Sequence, residues 1–473
     1  MTTLLETVSR HAALDFFGQS WEGRRVTVVG LGRSGVAAAR LLCQKGCRVL
    51  ATESRDTAEL QRVRQELLEL GVEHVELGGH TPAILEGTDL VVTSPGVPES
   101  RGPIPWAREQ RLTVISEIEL AFLFCPAPIV AVTGTNGKST AVTLIAQLLT
   151  AIGRHAIACG NVGIPFSSIV DRLTPRSIAV VEVSSFQLLA CDRFRPVIGV
   201  LLNLGTNHLD RHHESVAYLA AKARLFQRQT AEDWAVLNGA DAKIAALGET
   251  LAARVVWFGE NRANPPSLRL APETQRAFTV GEQAVLQVAR LLGIADPLAW
   301  QVIRAFQGLE HRLERAGTIR GVHFINDSKS TTPDSLLFAL RQTRGEVVVI
   351  VGGRDKGMDF SSLAAPLREA RVRGIVLIGE ARPRLRPLCQ GASHVVECET
   401  LEEAVQVARG LAEAGATVLF SPACASFDMF RDFEDRGRVF KTVVASLQSR
   451  PVHATSAVLS PLTAAAATPP NGR

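Results

Sequence analysis

At 473 residues the chain is too long for one ordinary hydrophobic core, so several domains are expected. Hydrophobic residues make up 46% and charged residues 21%, which excludes a membrane-spanning, fibrous or disordered class and suits a soluble globular protein. A formal net charge of +4 comes from 51 Lys and Arg interspersed with 47 Asp and Glu; no basic stripe forms, and no nucleic-acid partner is expected.

The N-terminal "MTTLLETVSRHAALDFFG" carries charges through its apolar residues, and the apolar runs further on are only strand-length. Neither a signal peptide nor a membrane span is expected, and the location is read as cytoplasmic. "RRVTVVG" (24–30) reads as a first strand, "VAAARLLCQKG" as a helix and "RVLATE" (48–53) as a second strand. "DLVVTSPGVP" (89–98) is a further strand ending in a proline–glycine turn. Prolines in "CPAP" (125–128) mark a first boundary, and a new strand, loop and helix start at Ile129. Strands recur at "SIAVVEVSS" (177–185), "PVIGVLLNLG" (196–205) and "WAVLNG" (234–239), while "NRANPPSLRLAPE" (261–273) reads as a loop. A second boundary follows "GLEHRLE" (308–314); beyond it come "GVHFINDS", "EVVVIVGG", "GIVLIGE" and "ATVLFSP", four more strands with helical intervals. The predicted division is an extension at 1–22, domains at 23–126, 127–314 and 315–450, and an Ala/Ser/Thr/Pro-rich tail at 451–473 without packed structure. Strands alternating with helices throughout predict α/β sheets that are mostly parallel.

Eight cysteines (Cys43, Cys47, Cys125, Cys159, Cys191, Cys389, Cys398, Cys424) are scattered without a CxxC pair, which suits a reducing compartment. Cys43 and Cys47 are read as small apolar core residues rather than as a ligand pair.

Four regions carry candidate chemistry. In "GLGRSG", Gly30, Gly32 and Gly35 follow a strand and open a helix, and Glu53 ends the next strand; this is the pattern of a dinucleotide site. A nicotinamide enzyme, a different nucleotide diphosphate and a plain tight turn all remain open at this point. In "IVAVTGTNGKST" (129–140), Lys138 offers a cation, Ser139 and Thr140 offer hydroxyls for a magnesium ion, and backbone amides from Gly134 to Ser139 can wrap an anion. Val132 stands where the usual phosphate loop has its first glycine, but Gly134 still permits the tight turn. A strand–helix turn with an incidental lysine is the bland alternative. "VVEVSSFQL" places Glu182 and Ser184 at a strand end in the same domain, and "NLGTNHLDRHH" crowds Asn207, His208, Asp210, His212 and His213 after another, for metal or substrate contact. Lysines and hydroxyls of the third domain, in "INDSKSTTPDS", "VGGRDKGMDF" and "SPACASFDMF", suit an anionic substrate, with solvated loop polars as the alternative.

Together these stretches resemble the ATP-dependent Mur ligases of peptidoglycan synthesis. "TGTNGKST", "GNVGIP", "EVSSFQL", "NHLDRH", Ala221–Lys222, His311–Arg312, "NDSKST" and "SPACASFDMF" fall in the family's order between residues 24 and 445. "SPGVP", "EVSSFQL" and "SPACASFDMFRDFEDRG" are most similar to the branch that adds D-glutamate to UDP-N-acetylmuramoyl-L-alanine. The resemblance implies three α/β domains: Rossmann-like at the N-terminus, a central P-loop ATPase domain with a mostly parallel sheet, and a Rossmann-like C-terminal domain. It implies ATP and Mg2+ as cofactors and a monomer.

Its residue assignments are these. Gly134, Thr135, Asn136, Gly137, Lys138, Ser139, Thr140, Arg312 and Asp327 would bind ATP. Ser139, Glu182, His208 and Lys222 would hold magnesium, Lys222 after carbamylation; Lys138, His208 and Lys222 form the catalytic set. Gly32, Arg33, Ser34, Glu53, Ser54, Arg55, Ser94, Asn161 and Ser184 would bind the UDP substrate, which reassigns "GLGRSG" away from nicotinamide. Lys329, Thr331, Lys356, Ser421 and Phe427 would receive D-glutamate. Two departures from the pattern stand out: Asn207 replaces the family's frequent aspartate, and "GEQAVLQ" (281–287) replaces its "GxHNxxN" run.

Overall fold

The computed structural model describes residues 20–97, 100, 102–161, 163–204, 215–259, 278–355 and 357–449. They form two compact units, divided between Gln307 and Gly308.

The first unit holds two sheets. β1 (Arg25–Val29), β2 (Arg48–Glu53), β3 (His74–Leu77), β4 (Leu90–Thr93) and β5 (Thr113–Ser116) pair in parallel in the order β3-β2-β1-β4-β5. β1 is buried on both faces, as β-branched residues covered by helices on either side demand. The helix Arg33–Gln44 lies against it through Gly35, Ala38, Leu41 and Leu42. Gly35 is required there, because a Cβ would sit 1.8 Å from the Gly30 carbonyl oxygen.

The second sheet comprises β6 (Ile129–Thr133), β7 (Ala156–Gly160), β8 (Ile178–Glu182), β9 (Ile198–Leu201), β10 (Trp234–Asn238) and β11 (Arg254–Phe258), ordered β11-β10-β9-β6-β8-β7 and again all parallel. β6, "IVAVT", is buried at every position. Each such Val or Ile contributes about 2 kcal/mol on burial, which anchors the strand whose end opens the glycine loop.

One apolar core runs between the two sheets, from Val26, Leu41 and Phe122 to Ile129, Phe166 and Phe194. Two carboxylates on the first turn of the helix Glu117–Phe124 reinforce it. Glu117 Oε1 accepts from the backbone N–H and the hydroxyl of Ser167, both at 2.6 Å. Glu119 accepts from the amides of Arg193 at 2.6 Å and Phe194 at 2.9 Å. Burial pushes the Glu117 carboxyl up to about 7 even though Ser167 and the Phe166 amide favour its ionised form.

The second unit carries β12 (Glu314–Ile319), β13 (Val322–Asn326), β14 (Val347–Gly352), β15 (Val372–Ile378), β16 (Val395–Glu397) and β17 (Thr417–Phe420), in the order β12-β13-β17-β14-β15-β16. β12 is antiparallel to β13 and the other pairs are parallel. The third-domain boundary expected after residue 314 thus falls on the first residue of β12, and the unit itself starts at Gly308. All eight cysteines are free thiols, and all but Cys43 are buried. Among the described residues no helix is long and apolar enough to cross a membrane.

Candidate active site

The loop 134–137 joins β6 to the helix Lys138–Ala151. Gly134 and Gly137 both have positive φ, 152° and 85°, so side chains there would be strained. Gly137 is the N-cap, offers no capping side chain, and is followed by no acidic residue in the first turn. The helix therefore presents amides and the positive end of its dipole to an anion. Lys138 Nζ donates to the carbonyls of Gly134 at 3.0 Å and Thr135 at 2.9 Å, which holds the ammonium over the loop. Ser139 and Thr140 are half-buried on the first turn, and Asn136 is exposed.

A residue that sequence reading missed fixes this loop. Asn203, just past the end of β9, accepts from the amides of Thr135 at 3.1 Å and Asn136 at 2.9 Å, and donates to the Asn136 carbonyl at 3.0 Å. Only the parallel pairing of β6 with β9 brings it there.

Lys222 enters the same sheet end from the helix Ser215–Ala223 and is 1% exposed. Its Nζ donates to the Gly134 carbonyl at 3.0 Å and lies 4.4 Å from the centre of the Tyr218 ring. Burial holds the Lys222 ammonium well below its ordinary range, the Lys138 charge adds to this, and Glu182 opposes it. Glu182 ends β8, the strand beside β6; it is buried and accepts from Asn161 Nδ2 at 3.1 Å. One sheet end thus gathers an amide-lined loop, a cation, a hydroxyl, a carboxylate and a lysine driven toward its neutral form. Ser184 is engaged elsewhere. It closes a capping box with Gln187 on the helix Ser185–Leu189, so its hydroxyl serves that helix.

The helix Val280–Leu291 carries the "GEQAVLQ" run. Gly281 lies near the Gly137 carbonyl, Gln283 Nε2 bonds the Phe278 carbonyl at 3.1 Å, and Ala284 and Gln287 are buried.

A cavity of about 610 Å³ opens at the carboxyl ends of β1, β2 and β4. β1 and β4 flank the point where strand order reverses, the place where doubly wound sheets bind ligands. Gly32, Arg33, Ser34, Glu53, Ser54, Arg55, Ser94 and Asn161 all line it, so eight of the nine residues assigned to the UDP substrate come together, Ser184 being the exception. Glu53 accepts from the Leu31 amide and from Arg55 Nε, each at 3.1 Å. Burial opposes the charge on Glu53, but these donors outweigh it and hold the carboxyl below its usual range. The far wall is Gly160, Asn161, Gly163 and Pro165 from the second sheet. Sequence reading missed His80, which lines the cavity and shares a 2.7 Å hydrogen bond with Thr52 Oγ1. Burial lowers the affinity of its imidazole for a proton, against the pull of Glu53 and Glu76.

In the second unit, Asp327, Lys329 and Thr331 follow β13, and Ser421 and Phe427 follow β17, its neighbour. Asp327 is buried and accepts from Ser421 Oγ at 2.7 Å and the Leu313 amide at 3.1 Å. Burial pushes its carboxyl up to about 6, while Ser421, the Leu313 amide, Arg312 and Lys329 favour the ionised form. Ser421 is fully buried with its hydroxyl engaged by Asp327, whereas Phe427 is 52% exposed. His208, with its neighbours Asn207, Asp210, His212 and His213, lies outside the described residues, as do Lys356 and the 261–273 loop.

Three family models match the chain in series: the Mur ligase MurD-like N-terminal domain at 24–116, the Mur ligase middle domain at 132–291, and the Mur ligase glutamate ligase domain at 311–424. The chain belongs to the Mur ligase family. Among its relatives is the UDP-N-acetylmuramoylalanine–D-glutamate ligase of Geobacter sp. (strain M21), 39% identical over 445 residues that cover 89% of this chain and 98% of that protein. The protein of the same name from Chlorobaculum tepidum is 41% identical over 463 residues, covering 90% and 98%. Among solved structures, UDP-N-acetylmuramate-alanine ligase MurC from Thermotoga maritima aligns with a TM-score of 0.54 at 18% identity, over 89% of this chain and 99% of that one. MurF ligase from Thermotoga maritima in complex with ADP aligns at 0.53 and 14% identity, over 84% and 95%. Both structures share the fold of this chain.

Proposed function

We propose that this chain is an ATP-dependent ligase that joins D-glutamate to UDP-N-acetylmuramoyl-L-alanine, a cytoplasmic step of peptidoglycan precursor synthesis, and that it acts as a monomer. The observation that carries this reading is the convergence of Lys138, Glu182 and Lys222 on the glycine loop at one sheet end. The substrates come from the relatives, which are D-glutamate ligases aligned along 98% of their own length.

The chemistry starts from a carboxylate, a poor electrophile. The alanine carboxylate oxygen attacks the γ-phosphorus of ATP, the bond to the β-phosphate oxygen breaks, and ADP leaves. The amine of D-glutamate then attacks the acyl phosphate carbon, phosphate departs, and a proton is lost from nitrogen. No nucleophilic side chain is needed; placement and charge supply the rate. The amides of 134–139 and the Lys138 ammonium would hold the β- and γ-phosphate oxygens, with Asn203 keeping the loop in shape. Ser139 Oγ and the Glu182 carboxylate are hard oxygen donors and suit Mg2+, which when bound offsets the repulsion between phosphoryl and carboxylate oxygens. Lys222 would join that set as a carbamate: an unprotonated amine that adds to carbon dioxide and loses a proton supplies an anionic oxygen donor, and burial favours the unprotonated form. His208 is assigned to the same metal set.

Gly32, Arg33, Ser34, Ser54, Arg55, Ser94 and Asn161 are assigned to the UDP part of the substrate in the 610 Å³ cavity, with His80 added and with Glu53 ordering the Leu31 amide and Arg55. Arg312 and Asp327 are assigned to ATP, and Lys329, Thr331, Lys356 and Phe427 to D-glutamate. Ser421 acts through Asp327, to which it is bonded.

The test is phosphate release from ATP with magnesium and UDP-N-acetylmuramoyl-L-alanine, supplying one amino acid at a time. Release is expected with D-glutamate and not with L-glutamate, L-lysine or diaminopimelate. Release that requires a different amino acid would keep the reaction and overturn the substrate; none with any would overturn the reading.

A further inference from the structure

Arg436 is the largest fully buried side chain of the second unit, 1% exposed, on the helix Phe433–Ser449. A buried guanidinium is ordinarily matched by a carboxylate, since removing a cation from water is costly without one. Among the described residues Arg436 makes no ion pair. Instead its donors reach backbone and hydroxyl oxygens: Nε to Ser328 Oγ at 3.1 Å, Nη2 to the carbonyls of Ser328 at 2.8 Å and Cys424 at 3.1 Å, and Nη1 to the carbonyl of Ala425 at 3.1 Å. Burial lowers its pKa to about 10 against the opposing pull of Cys424 and Asp428, so it stays charged at neutral pH.

The positions of these acceptors matter. Ser328 begins the loop after β13 that continues to Lys329 and Thr331. Cys424 and Ala425 lie in the loop after β17 that leads to Phe427. The Ala425 carbonyl also accepts from the Arg354 amide at 2.9 Å, in the loop after β14 that runs on to Lys356. Gly353 leaves room for this contact: a Cβ there would stand 2.4 Å from the Ala425 oxygen and 3.1 Å from Arg436 Nη1. Below the guanidinium Phe420 stacks on Phe440 with ring centres 4.7 Å apart, and the Arg436 guanidinium carbon is 6.0 Å from the centre of the Phe420 ring.

We infer that Arg436 is a positioning residue of the amino-acid site: its guanidinium ties the loop after β13 to the loop after β17, and the Ala425 carbonyl carries the tie on to the loop after β14, which holds the strand-end loops assigned to D-glutamate in register. This rests on the proposed function, in which those loops receive D-glutamate. Arg436 does not touch substrate. It fixes the loops after β13 and β17 against each other, and a guanidinium does this because its donors radiate in one plane toward separate oxygens. The ammonium of a lysine keeps the charge but lacks that planar fork.

The test is steady-state kinetics of Arg436→Lys and Arg436→Met in the full chain, with D-glutamate, ATP and the UDP substrate each varied in turn. Both variants are expected to raise the KM for D-glutamate by about tenfold or more, Arg436→Met more than Arg436→Lys, while the KM for the UDP substrate stays within about twofold. If Arg436→Met does not fold, Ser328→Ala, which removes the hydroxyl accepting from Nε, is expected to reproduce the selective rise. A KM for D-glutamate unchanged in Arg436→Lys and Ser328→Ala would overturn the inference, as would an equal rise for both substrates. A wild-type protein that does not use D-glutamate would instead strike the proposed function itself.

Discussion

Lys138→Ala is expected to lower the turnover number by about three orders of magnitude while leaving the folded structure in place. The ammonium is held over the glycine loop by the carbonyls of Gly134 and Thr135, and in the proposed reaction it would meet charge moving from the alanine carboxylate toward the γ-phosphate. That charge grows in the transition state, so the loss falls on turnover more than on nucleotide affinity. The fold does not depend on Lys138, because the helix Lys138–Ala151 is anchored by Ala141, Leu144, Ile145, Leu148 and Leu149 in its own apolar core. Phosphate-release kinetics and a thermal melt read the two halves separately. Turnover within tenfold of wild type would remove Lys138 from the mechanism.

Lys222→Ala is expected to cost about as much activity, roughly a thousandfold, for another reason. A carbamate on Lys222 would supply oxygen ligands beside Glu182, and alanine supplies none. Because Lys222 is fully buried, the truncation also leaves a hole, and a loss of about 2 kcal/mol in stability is expected with it. Lys222→Met separates the two effects: it keeps most of the volume and removes a desolvated amine, so it is expected to be as inactive as Lys222→Ala but as stable as wild type. Wild-type activity should also fall in buffer stripped of carbon dioxide and return with bicarbonate, while either variant stays flat. Near-normal turnover in Lys222→Met would break this assignment.

The fold was legible wherever the chain writes it in runs. β1, β4, β6, β8 and β14 are runs dominated by β-branched and aliphatic residues, and the loops after β1 and β6 are marked by glycines that their backbones need. Sequence reading passes over six strands among the described residues: β5, β7 and β11, although "TVIS" and "RVVWF" are rich in β-branched residues, and three with weak local signals, since β16 is three residues long, β3 is "HVEL", and β12, "ERAGTI", is an antiparallel edge strand with a register shift between Arg315 and Gly317. Tertiary pairing, not propensity, makes strands of these last three.

The site divides along the same line. Gly32, Ser34, Glu53, Arg55 and Ser94 converge because their motifs lie at adjacent strand ends, which a parallel sheet brings together. Lys222 reads as a surface lysine in "YLAAKARLF", and it is the fold that buries it and sets it beside Lys138, which together depress its pKa. Asn203, His80 and Arg436 were invisible for a related reason. Asn203 and Arg436 lie in motifs that drew notice for other residues, nothing local marks any of the three, and their partners are distant in sequence: Asn136, Thr52 and Ser328. Ser184 and Ser421 sit in motifs, and their hydroxyls bond within the protein, the half-buried Ser184 to Gln187 and the buried Ser421 to Asp327.

Activation of the alanine carboxylate by ATP is the central claim, and oxygen transfer tests it most directly. UDP-N-acetylmuramoyl-L-alanine labelled with 18O in its carboxylate would be turned over with ATP, magnesium and D-glutamate, and the released phosphate weighed by mass spectrometry. An acyl phosphate requires one carboxylate oxygen to leave with every phosphate, so labelled phosphate should appear in step with the amide product. Phosphate released without label at full turnover would contradict the mechanism.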